Sequence, residues 1–203
     1  MDTQEAVFDE RKANVTRNTR ETRISVSINL DGTGEYENHT GIGFLDHMLD
    51  LFARHGRFDL ETQCEGDLHV DEHHTIEDVG ITLGQAFRQA LGDKKYIGRY
   101  GHAYVPMDDC LARCVVDLSG RFFLYFDATF TREFTGQFPT EMVRHFWYAF
   151  AEQLQCNMHL EVLHGENTHH QIEALYKAAG RALRVAVDRN VVYGEVASTK
   201  GRL

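Results

Sequence analysis

A chain of 203 residues with 42% hydrophobic content is long enough for one sizeable core or two small fused units. Its net charge of −10, from 21 basic and 31 acidic residues, argues against a nucleic-acid surface, which needs a basic stripe; a small anionic ligand at a local basic cluster is still allowed. No run approaches the ~18 consecutive apolar residues that span a bilayer, so no membrane partner is expected.

In chain order, the opening MDTQEAVFDERKANV carries acids and no apolar run, and reads as neither signal nor transit peptide. The expected compartment is the cytoplasm, where Cys64, Cys110, Cys114 and Cys156, which lack metal-type doublet spacing, are reduced thiols. TRISVSINLDGTG (22–34) alternates like a strand and turns at Asp31-Gly32. GFLDHMLDLFARHG (43–56) predicts a helix with Phe44, Leu45, Met48 and Phe52 on one side and Gly56 as its left-handed stop. A short strand fits 58–66, and DEHHTIEDVG (71–80) opens a helix whose apolar positions are Ile76, Val79, Leu83, Phe87 and Leu91. LARCVVDLSGRFFLYFDATF (111–130) is β-branched and aromatic, with a turn at Ser119-Gly120. EMVRHFWYAFAEQL predicts a helix through Met142, Val143, Phe146 and Phe150, CNMHLEVLHG (156–165) a strand, and THHQIEALYK opens the last helix.

The second series repeats the first. Adding 96 to Ile76, Val79 and Leu83 reaches Ile172, Leu175 and Ala179; Gly84 maps to Gly180 and Arg88 to Arg184. His73, His74 and Glu77 map to His169, His170 and Glu173, and His47 maps to His145 at an offset of 98. The expected architecture is α/β (α+β): one domain over 1–203 built from two repeats, about 1–98 and 99–203. Each repeat reads strand, turn, strand, helix, strand, helix, with helices on one face of a sheet.

The chain has twelve histidines, and six of them belong to the repeat. On a helical projection with His73 at zero, His74 lies near ~100°, Glu77 near ~40° and the apolar stripe near ~280°. The trio therefore faces another half-domain, another subunit or solvent. His73 and His74 diverge too far for one ion. Eight ligands (His47, His73, His74, Glu77, His145, His169, His170 and Glu173) would give each of two ions three imidazoles and one carboxylate. An octahedral ion would keep two positions open, which suits Mn or Fe(II) better than four-coordinate zinc. Which histidine serves which ion is left open. His39, His55, His69, His102, His159 and His164 do not repeat and read as structural.

GFLDHML, HHTIEDVGI, VPMDD, VDLSGRFF, GENTHHQIEALYKA and STKG, in that order over residues 15–203, resemble the imidazoleglycerol-phosphate dehydratase family. The resemblance implies two half-domains of the ribosomal protein S5 domain 2-like type and two Mn2+ per subunit. It also implies a homo-oligomer, a 24-mer with sites at subunit interfaces, acting on a small phosphorylated imidazole substrate. The implied reaction removes water from imidazole glycerol phosphate to give imidazole acetol phosphate in histidine biosynthesis, with the imidazole ring as electron sink. Glu21 resembles the family's acid/base carboxylate and, with Glu77 and Glu173, completes the implied catalytic set. Arg99, Arg121, Lys177, Ser198 and Lys200 resemble its phosphate-binding residues, and Glu21 also lies at the substrate. Leu51 stands where many members have glutamine, and Arg144 precedes the histidine where acidic or apolar residues are commoner. Two other readings compete: a dinuclear metal hydrolase, which needs a carboxylate bridging two close ions, and a non-enzymatic metal-binding assembly, which needs no phosphate cluster.

Overall fold

The computed structural model describes residues 9–189, 196–201 and 203. Two four-stranded sheets carry the same topology. In the first, β1 (Lys12–Asn18), β2 (Thr22–Asn29), β3 (Tyr36–His39) and β4 (Asp59–Gly66) are ordered β1-β2-β4-β3. In the second, β5 (Tyr100–Met107), β6 (Cys110–Asp117) and β7 (Phe123–Asp127) join β10 (Asn157–His164) in the order β5-β6-β10-β7. A small hairpin, β8 (Phe134–Thr135) with β9 (Phe138–Pro139), precedes the second pair of helices. The helices are α1 (Gly43–Gly56), α2 (His73–Leu91), α3 (Met142–Leu154) and α4 (Thr168–Val187). The duplication extends to register: Asn29 opposes Asp59 in one sheet, as Asp117 opposes Asn157 in the other.

Two edge strands were not anticipated from the sequence. β1 reads KANVTRN, with only Ala13 buried, because an edge strand needs few apolar residues. β5 contains Gly101 and Pro106, both of which normally interrupt strands; proline is tolerated at an edge. A second correction concerns the end of α1. The left-handed residue is Arg57 (φ 55°), and its counterpart after α3 is Gln155 (φ 57°); Gly56 is still helical. What Gly56 contributes is closeness, since a Cβ there would lie 3.1 Å from the Gly180 carbonyl oxygen.

Each sheet turns one face to the helices. α2 lies on β1 and β2, and α4 on β5 and β6. The helices then pair across the halves, α2 with α3 and α1 with α4, so their buried faces are wider than the stripe read from periodicity. The centre is aromatic: Phe52 meets Phe87, Trp147 and Phe150, and Phe150 meets Phe87 and Trp147, at centroid distances of 5.5 to 6.2 Å, all fully buried. Each such ring removed from water stabilises the fold by about 1.5–3 kcal/mol. One continuous core results, and it fixes the helix ends that carry the histidines. Among the described residues no helix is long and apolar enough to cross a membrane.

Candidate metal centres and a basic pocket

The repeated ligands meet across the duplication. His47 on α1 and His169 on α4 both direct Nε2 at Glu173 Oε1, at 3.0 and 2.9 Å. Around Glu77 on α2, His145 on α3 places Nε2 2.9 Å from Oε1, and the His73 ring lies tilted against His145, their centroids 4.7 Å apart. In each group, one donor atom from each of the three residues lies within 4.8 Å of the others. Each half thus lends a histidine to the other half's histidine and glutamate. Two imidazole nitrogens and one carboxylate oxygen at that spacing suit a divalent transition ion with coordination positions left over.

The helix starts explain why these side chains converge. Asn167 caps α4, accepting the backbone N–H of His169 and of His170 at 3.0 and 3.3 Å. Asp71 accepts the backbone N–H of His73 at 2.9 Å. Behind Glu77, buried Asp78 accepts a hydrogen bond from Thr22 Oγ1 at 2.6 Å and pairs with Arg17, fastening β1 and β2 to α2.

His74 and His170 join neither cluster. Each donates or shares Nδ1 with a carboxylate, His74 with Asp67 at 3.0 Å and His170 with Asp109 at 2.9 Å. The Asp67 contact raises the His74 pKa above its usual value. An imidazole held at Nδ1 in this way presents Nε2 as a metal donor. The Nε2 of His74 faces half-exposed Glu21 at 3.8 Å, and that of His170 faces Asp108 at 3.6 Å. Among the described residues of one chain, therefore, the set of three imidazoles and one carboxylate expected for each ion is assembled only to two and one. Asp67 and Asp109 were not singled out as site residues. Asp109 lay within the VPMDD motif, but nothing local indicated that it would reach His170, 61 positions away.

The electrostatics of the two clusters differ. Glu173 is almost fully buried, which alone would raise its pKa, but hydrogen bonds from Lys177, His47 and His169 outweigh that and bring it down to about 2. Lys177 Nζ stands 2.6 Å from Glu173 Oε2. Lys177 therefore sits at this cluster and not with the other basic residues.

Those residues line a separate cavity of about 1030 Å³, where Arg99, Arg121, Ser198 and Lys200 meet Gly98, Ser119 and Gly120. Arg99 is anchored through its Nε to Asp117 at 2.7 Å and through Nη1 to the Ala197 carbonyl at 2.9 Å, while Arg121 is exposed. Cys110 begins β6 beside the α4 cap, through its contact with the Asn167 carbonyl, and Asp117 ends it beside Arg99. At about 3.3 Å per residue, about 23 Å separates these ends of β6. Leu51 packs partly buried against the core and offers the pocket no polar group. The four cysteines are free; burial pushes the Cys64 and Cys156 thiols up to about 12, far from nucleophilic.

A duplicated sheet-and-helix chain with paired histidine–glutamate clusters is consistent with a metal-dependent enzyme. The sequence pattern of the imidazoleglycerol-phosphate dehydratase family matches residues 40–183, and the chain belongs to that family. It is 59% identical over 196 residues to the imidazoleglycerol-phosphate dehydratase of Salinibacter ruber, covering 97% of each chain. Identity to that of Marinobacter nauticus is 55% over 195 residues, covering 96% of this chain and 99% of the relative. Among solved structures, the Staphylococcus aureus dehydratase superposes with a TM-score of 0.80 at 40% identity, covering 88% of this chain and 99% of that one. The Pyrococcus furiosus enzyme, crystallised with (S)-C348, gives 0.81 at 38%, covering 93% and 100%.

Proposed function

We propose that this chain is a hydro-lyase that removes water from imidazole glycerol phosphate to give imidazole acetol phosphate in histidine biosynthesis, using two Mn2+ per subunit. The observation that carries the reading is the pair of histidine–histidine–glutamate clusters, each drawn from both halves of the chain. His47, His169 and Glu173 would hold one ion; His73, His145 and Glu77 the other. A bound Mn2+ supplies Lewis acidity to a ring nitrogen of the substrate, the atom through which a carbon without a neighbouring carbonyl can be acidified.

The remaining roles belong to the chain. Glu21, half-exposed and 3.8 Å from His74 Nε2, is the proton-transfer group. Arg99, Arg121, Ser198 and Lys200 bind the phosphate: exposed Arg121 offers its planar fork, while Arg99, held by Asp117 and the Ala197 carbonyl, adds positive charge to the pocket. Lys177, whose ammonium already neutralises one carboxylate, can add a point charge to the bound anion.

The site is shared between copies in a homo-oligomer, which the resemblance makes a 24-mer. Two features support this. Among the described residues, His74 and His170 are oriented by carboxylates and belong to neither cluster, so each would serve as the third imidazole of a neighbour's cluster. In addition, the basic pocket and the α4 cluster stand at opposite ends of β6, too far apart to grip one small substrate.

A dinuclear hydrolase is disfavoured because the clusters share no carboxylate, and a storage assembly because the basic pocket would have no purpose. The test is a steady-state assay with imidazole glycerol phosphate on chelated and Mn-reloaded protein, with sizing before and after chelation. Turnover restored by Mn2+ together with recovery of the large assembly is expected; a fully metallated protein without turnover would overturn the reading.

A further inference from the structure

The two clusters are copies of each other that differ by one charge. The offset of 96 that relates Glu77 to Glu173 also relates Ile81 to Lys177, one turn further along each helix. Lys177 Nζ binds Glu173 Oε2 at 2.6 Å and rests 3.3 Å from Met107 Sδ, with its side chain 13% exposed. At the other cluster the equivalent residue is a partly buried isoleucine, and among the described residues no lysine or arginine pairs with Glu77. The carboxylates also differ in setting: the Glu173 side chain is 7% exposed and that of Glu77 37%.

Resting on the metal-site reading above, we propose that the two metal sites are unequal: the Glu77 cluster takes its divalent cation more tightly and fills first, and Lys177 keeps the Glu173 cluster weak. Two neutral imidazoles and a carboxylate attract a cation with one net negative charge. Adding the buried ammonium brings that sum to none. Burial strengthens the carboxylate's attraction and the ammonium's repulsion alike, so the net charge of the donor set decides. Lys177 also occupies Oε2, leaving Glu173 a single oxygen for an ion, whereas Glu77 can offer either of its two. The duplication has thus been differentiated by one residue outside both ligand sets.

The experiment is titration of chelated full-length protein with Mn2+, reading free Mn2+ by electron paramagnetic resonance. Two classes of site are expected, differing at least ~tenfold, a modest outcome for charges a few ångströms apart at an effective dielectric of about 20. Glu77→Gln should abolish the tight class and Glu173→Gln the weak one. Lys177→Met should raise the weak class towards the tight one. The reciprocal Ile81→Lys should weaken the tight class, and this keeps the test decisive should Lys177→Met fail to fold. Two sites of equal affinity, loss of the weak class in Glu77→Gln, or affinities unmoved by both exchanges would overturn the proposal while leaving the metal centres standing. Absence of Mn2+ binding at both clusters would overturn the metal centres themselves, and this proposal with them.

Discussion

Replacing Gly180 with alanine tests whether close helix approach builds the Glu173 centre. A Cβ at Gly180 would lie 2.6 Å from the Phe52 carbonyl oxygen and 3.1 Å from the Gly56 nitrogen. Both are helix backbone, which cannot rotate away as a side-chain tip would. To restore the ~3.5 Å of ordinary contact, α1 must retreat by about 0.9 Å. Overpacking of this kind costs about 1–3 kcal/mol. Alanine recovers about 1 kcal/mol through its better helix propensity, so a net loss of about 0–2 kcal/mol is expected. Urea unfolding of the metal-free protein measures it. His47 rides on α1 and Glu173 on α4, so the same displacement should open their 3.0 Å contact and weaken Mn2+ binding at that cluster. Gly84 makes the equivalent approach, 2.5 Å from the Phe150 carbonyl, and should behave alike at the other cluster. A Gly180→Ala protein stabilised by about 1 kcal/mol, the gain expected in an open helix, would refute the close-packing argument.

Asp59 Oδ1 accepts the backbone N–H groups of Thr33, Gly34 and Glu35 at 2.8, 3.1 and 3.1 Å and so holds the loop after β2. Burial raises its pKa, but these bonds lower it further, leaving the folded value below the unfolded ~3.9. Its stabilisation is therefore present above that unfolded value and lost as pH falls through the folded one. Asp59→Ala should cost about 1–2 kcal/mol at pH 7, as for a lost helix cap. Asp59→Asn should keep the acceptor and lose the pH dependence; a difference from wild type that stays constant down to strong acid would contradict this. Arg121→Ala, at an exposed arginine of the basic pocket, should raise KM for the phosphorylated substrate about tenfold or more with unfolding unchanged, the loss of one charge-assisted contact. An unaltered KM would remove Arg121 from the phosphate site.

Much of this molecule was legible along the chain. The helices over 43–56 and from His73, Met142 and Thr168 follow from periodicity, and the repeat of HHxxE announced the duplication and named the candidate ligands. The edge strands β1 and β5 escaped because an edge needs little hydrophobicity and tolerates glycine and proline. Gly56 and Gly180 escaped in another way. As residue types they signal local freedom, while their use here is a contact between two helices 124 positions apart.

The amino-acid order alone determined which side chains are candidate metal ligands, which helix face they share and that they occur twice, because these depend on spacing within one or two turns. Only the tertiary structure decided that His47 belongs with Glu173 and His145 with Glu77, that His74 and His170 turn to Asp67 and Asp109, and that Lys177 closes an ion pair on Glu173 Oε2. The reason is that periodicity reports which face of a helix is apolar, not which partner that face will meet. The pairing of helices across the two halves is settled by how their glycines and aromatic rings fill a common core.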